Sequence, residues 1–151
     1  MRRVTCLAFA AAVAATLSGT GHAGAEKVWR PVQVISGLRS EGMRIGLTRY
    51  YTPTTDPNKL LGRPGQYRGK ATFRDRRVKG ETELAVDAGG SVETFASKSD
   101  AKRRYDFVSA LGKTALFAEY DYLEGTVLLR VSHNLTPAQA KAYERALRKV
   151  V

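Results

Sequence analysis

Cysteine is nearly missing. One residue, Cys6, stands in a chain of 151, so no intrachain disulfide can form and stability must come from packing and hydrogen bonds. Histidine is almost as scarce, with only His22 and His133. Long apolar runs are absent too. The run from Cys6 to Leu17 falls short of the roughly 20 residues that a membrane-spanning helix needs. Met1, Arg2 and Arg3 precede that run, and Ala23-Gly24-Ala25 follows it. This is the layout of a secretory signal peptide with an A-x-A cleavage pattern. The expectation is a signal peptide over 1–25 and one secreted domain over 26–151, with no membrane span. Cys6 sits early in the apolar run, so a released product is expected rather than a lipid-anchored one.

Cleavage would remove the thiol and one imidazole. That excludes cysteine nucleophiles and Cys/His metal sites from the mature domain. No metal and no cofactor are expected. His133 lies between a strand and a helix cap, where it reads as a surface residue. No Gly-rich phosphate loop, Walker pattern or serine nucleophile elbow is present.

Acidic residues are the minority, 14 against 25 Lys and Arg, for a net charge of +11. Losing 1–25 takes two arginines and no acid, leaving +9. Such a charge favours acidic partners. An acidic cell-wall polymer fits, as does an extracellular protein. Nucleic acid is disfavoured, because the aromatics read as core rather than as a stacking platform.

Periodicity gives the elements. Pro31 opens a helix with Val32, Ile35 and Leu38 at helical spacing, and Gly42 stops it. Met43–Tyr51 reads as a strand with Ile45 and Leu47 on one face. Tyr67–Arg77 alternates, with Tyr67, Ala71 and Phe73 inward. Its other side should form an exposed basic ridge of Arg68, Lys70, Arg74 and Arg76. Glu81–Val86 and Ser91–Ala96 suggest a hairpin around Asp87-Ala88-Gly89-Gly90. Ser97 and Asp100 make a capping signature for a helix striped by Ala101, Tyr105, Val108 and Leu111.

Leu116–Leu123 and Thr126–Ser132 form a second hairpin around Glu124-Gly125. That register pairs Tyr122 with Val127, Tyr120 with Leu129 and Ala118 with Val131, and sets Glu119 opposite Arg130. Thr136-Pro137-Ala138-Gln139 caps a final helix with Leu135 stapled onto Ala140. The predicted class is α+β: a single small domain, an antiparallel sheet with amphipathic helices packed on one face.

The segment Thr52–Gln66 stands apart, with three Pro and two Gly. Leu60 and Leu61 should pin it to the body. The segment is expected to display Asp56, Asn58, Arg63 and Gln66 around a pocket floored by Tyr50, Tyr51 or Tyr67. Asp56 and Arg63 should then matter more to binding than to stability. A Ca²⁺ site at Asp56 and Asn58 is disfavoured by Lys59 and Arg63 beside it.

The pattern T-D-P-N-x-L-L-G-R-P-x-Q-Y through Tyr67 resembles a family of small secreted proteins and lipoproteins of Gram-positive bacteria. The resemblance continues in E-Y-D-Y (Glu119–Tyr122), V-L-L-R-V (Val127–Val131) and L-T-P-A-Q-A (Leu135–Ala140). That family has no assigned activity, so it implies no catalytic residues. Some of its members are lipid-anchored, and this chain departs from them in lacking a cysteine at the leader's end. Together these features suggest a secreted, non-enzymatic binding module at or near the cell envelope. The alternative is a protein inhibitor that uses the Pro-stiffened loop 52–67. A hydrolase built on Asp56 or Glu119 with Arg63 is the weakest option, for want of a nucleophile–base pair.

Overall fold

A computed structural model describes residues 27–81, 83–112 and 118–151. The expected leader over 1–25 and the expected strand start at Leu116 lie outside the described residues. Each helix forms where its caps place it. α1 (Pro31–Ser40) starts at its proline and buries Val34, Ile35 and Leu38. α2 (Lys98–Leu111) begins where the Ser97 hydroxyl accepts from the Asp100 N–H. α3 (Pro137–Val150) has a complete capping box between Thr136 and Gln139, which satisfies donors left open at a helix start.

The strands are β1 (Ile45–Tyr50), β2 (Gly69–Asp75), β3 (Gly89–Thr94), β4 (Glu119–Glu124) and β5 (Val127–Ser132). They form one sheet of order β1-β2-β3-β5-β4, antiparallel throughout. The α+β class and the antiparallel sheet agree with the sequence.

The helices divide between the faces instead of sharing one. α1 and α3 cover the face of Ala71, Phe73, Val92, Leu129 and Val131. Phe73 stacks on Tyr143 with ring centroids 5.6 Å apart. The Tyr143 hydroxyl donates to the buried Asp75 carboxylate at 2.8 Å. α2 lies on the opposite face, where Ala101 and Val108 join Leu61, Tyr67, Phe95 and Leu128. A sheet whose strands bury side chains on both faces needs a cover on each.

Four local expectations fail for physical reasons. Glu81 and residues 83–86 form no strand; a short 3₁₀ turn, Val86–Ala88, leads straight into β3. β3 already has β2 and β5 as neighbours, so no hairpin partner is needed. Val92 and Phe95 serve different cores, because Phe95 follows the end of the strand. The β4–β5 loop is Gly125-Thr126, and Tyr122 pairs with Leu129, Tyr120 with Val131 and Asp121 with Arg130. Gly125 takes φ 54°, a left-handed value suited to glycine at the first loop position. The partners shift by two residues, so Tyr120 and Tyr122 keep their inward face. A bulge between Ile45 and Thr48 separates buried Ile45 from Leu47, which is 65% exposed. Tyr67 precedes β2 and enters the α2-side core rather than joining Ala71 and Phe73.

β2 and β3 approach closely at Gly89. A Cβ there would lie 2.2 Å from the Asp75 amide nitrogen and 2.6 Å from the Phe73 carbonyl oxygen. Backbone cannot yield as a side chain can. Gly89→Ala should therefore cost about 3 kcal/mol, read as a lower urea midpoint. An unchanged midpoint would show that the strands can part there.

Candidate functional site

Where α2 stops covering its face of the sheet, a cavity of about 470 Å³ opens. This lies within the roughly 300–1,000 Å³ usual for small-molecule sites. Thr72 of β2, Ser91 of β3 and Arg130 of β5 lie beneath it, on register positions that share one face. One wall is the loop through Thr55, Pro57 and Asn58. The other is the segment Glu83–Asp87.

The loop wall is held from below by Asp56. This residue is fully buried, which overturns its expected display. Its carboxylate accepts from the N–H of Leu60 (2.9 Å) and Leu61 (3.1 Å) and from the Tyr67 hydroxyl (2.7 Å). Lys70 Nζ closes the set at 2.9 Å, beside a longer bond of 3.3 Å from the Asn58 N–H. Burial pushes the Asp56 carboxyl up, but the bonds from Lys70, Tyr67 and the two amides outweigh it and hold it well below the usual range. Burial, aided by the bond to Asp56, raises the Tyr67 phenol. Lys70 also lies 5.3 Å from the Tyr51 ring centroid and 5.4 Å from that of Tyr67. Asp56 is therefore the loop's internal anchor.

Lys70 is only 5% exposed, so the basic ridge is broken at its centre. Arg74 donates to the Glu81 carbonyl and is half-buried. Arg68 and Arg76 are exposed, at either end. Alternation placed these residues on one side of β2, but the two loops cover that side.

The remaining candidates divide. Tyr51, Asn58 and Lys70 meet at the cavity, with the Tyr51 hydroxyl 3.1 Å from Thr72 Oγ1. Arg63, Gln66 and Arg68 line a separate groove of about 540 Å³ beside the start of α2. Sequence reasoning missed Arg49, Thr72, Ser91 and the Glu83–Asp87 wall. Only the hydroxyl-bearing positions within otherwise apolar strands hinted at them.

An ion network continues across the sheet. Glu93 is fully buried and accepts from Arg104 Nε at 2.8 Å. Arg130 Nη1 reaches Glu93 at 3.4 Å and holds Glu119 through two bonds of 2.9 Å. Arg130 thus bridges to Glu119 on a diagonal while sitting directly opposite Asp121. His133 lies 3.6 Å from Asp87 and is half-exposed.

Asp121 carries the second consequence of burial. Desolvation first, then the neighbouring Glu119, pushes its carboxyl up to about 7, opposed by the Ser109 bond and Arg130. An unfolded Asp titrates near 3.9. The folded state therefore binds more protons between about pH 4 and pH 7, and stability falls as pH rises through that window. Asp121→Asn should flatten this slope in denaturation midpoints at pH 5 and pH 8. A slope of equal size in the variant would place its origin elsewhere. Asp56 acts in the opposite sense, its contribution being lost as pH drops below about 4.

Among the described residues no group of three or more His, Cys, Asp or Glu is placed to hold a metal ion, and no helix is long and apolar enough to cross a membrane. Comparison with known proteins gives no match to any family model, curated protein or solved structure.

Proposed function

We propose that this chain is a secreted, non-enzymatic binding module acting at or near the cell envelope, and that its ligand sits in the cavity over Thr72 and Ser91. One observation carries this. The cavity's loop wall is fixed by an internal anchor, Asp56, that binds its own backbone and Lys70 and takes no part in the opening itself. A wall ordered before binding lowers the entropic cost of taking a ligand. The envelope setting rests on the leader pattern, the charge of +9 expected once that leader is lost and the resemblance to secreted Gram-positive proteins. Exposed Arg63, Arg68 and Arg76, outside the cavity, give a diffuse attraction to an acidic wall polymer.

The exposed turn Arg63-Pro64-Gly65 favours a second reading, an inhibitor whose loop enters a partner protein. The two separate by mutation. Ala85→Trp narrows the cavity, and Arg63→Ala trims the turn. Cavity binding predicts that only Ala85→Trp abolishes retention on isolated envelope fragments. Loss with Arg63→Ala alone would favour the inhibitor.

A further inference from the structure

The chemistry of the cavity selects its ligand, given that the cavity is the binding site. We propose that it takes a neutral, hydroxyl-rich saccharide unit of the envelope rather than an anionic group. The chain's excess positive charge does not reach this cavity. Lys70 is neutralised by Asp56 at 2.9 Å. Arg130 is neutralised by Glu119 at 2.9 Å and Glu93 at 3.4 Å. Arg49 at the rim is matched by Glu83 and Asp87, which line the same opening. An anion entering here would shed water yet find the floor's cations already satisfied. A neutral ligand avoids that cost.

The second observation is Ser91. It is fully buried, lines the cavity and its hydroxyl has no hydrogen-bond partner. Its cross-strand neighbour Thr72 is committed elsewhere, to the Leu84 carbonyl at 3.0 Å and the Tyr51 hydroxyl at 3.1 Å. A buried polar atom left unpaired is the exception in folded proteins and calls for a partner. A serine hydroxyl can donate and accept at once, which matches a sugar hydroxyl. Pro57, Leu84, Val86 and Ala118 supply apolar surface for the C–H face of a sugar ring. The volume of about 470 Å³ suits a mono- or disaccharide.

The test is calorimetry on the full protein, with cavity amides followed by NMR. Cellobiose and N,N′-diacetylchitobiose serve as neutral probes, and inorganic polyphosphate as the anionic one. A disaccharide should saturate the site with an affinity little changed by salt, since no net charge attraction is screened. Ser91→Ala should weaken that binding roughly two- to tenfold, the worth of one hydrogen bond. Its melting temperature should hold or rise, because the free protein has no Ser91 bond to lose. Polyphosphate that shifts the cavity amides while both sugars leave them unmoved would overturn the saccharide proposal and keep the cavity as the site. If no probe moves those amides, the cavity reading falls with it. Sugar binding that Ser91→Ala leaves intact would overturn the role given to the hydroxyl.

Discussion

Asp56→Ala is expected to destabilise the domain by about 3–5 kcal/mol, because it strands Lys70 as a buried, unpaired ammonium. Lys70 has 5% exposure and Asp56 none. The same change frees three backbone amides, of Asn58, Leu60 and Leu61, and the Tyr67 hydroxyl, so the loss goes beyond one ion pair. For a domain of this size the melting temperature should fall by on the order of 10–15 °C. Replacing both partners, as Asp56→Ala with Lys70→Met, should cost less than Asp56→Ala alone, since no charge is then left buried. A melting temperature held within a degree or two in the single variant would contradict the anchor and restore the displayed carboxylate that the loop's composition suggests.

Glu93→Ala should be comparably damaging, at about 3–5 kcal/mol. Glu93 is fully buried and faces Arg104, which is 9% exposed, and Arg130, which is 18% exposed. Removing the carboxylate takes away the acidic partner of Arg104 and leaves Arg130 with Glu119 alone. The effect should extend to the cavity, since Arg130 lies on its floor and would keep one carboxylate partner, Glu119, in place of two. Polyphosphate should then bind the cavity of any folded Glu93→Gln protein more tightly than that of the parent. Glu93→Gln keeps the side chain's shape and an acceptor oxygen, so it should retain more stability than Glu93→Ala. Equal stability for parent and Glu93→Ala, by urea denaturation, would show that the network is incidental.

Much of the fold was legible because its signals are local. Ser97, Thr136 and the prolines at 31 and 137 mark helix starts through bonds made within four residues. Strand alternation sorted Phe73 from Lys70 and Tyr120 from Asp121 without any tertiary knowledge. The site was harder to read because its decisive partners are distant. Asp56 is buried by Lys70, 14 residues on, and by Tyr67, 11 residues on. Within its own Pro- and Gly-rich segment it resembles any solvated turn residue. Leu84 and Val86 alternate like a strand, yet β3 takes β2 and β5 as neighbours and leaves 83–87 to form a wall. The division of helices between two faces depends on α2 finding Leu128 and Leu123, which no periodicity within α2 reveals. Ser91 reads as a small strand residue until Thr72 is seen to be occupied elsewhere.

The most direct test of the central claim is an amide chemical-shift map of the labelled protein during titration with solubilised envelope fragments. Binding in the cavity predicts shifts concentrated at Tyr51, Asn58, Thr72, Ser91 and residues 83–87, with Arg63–Gln66 and Arg76 unmoved. Shifts centred on Arg63–Gly65 or on Arg76, with Thr72 and Ser91 silent, would contradict it.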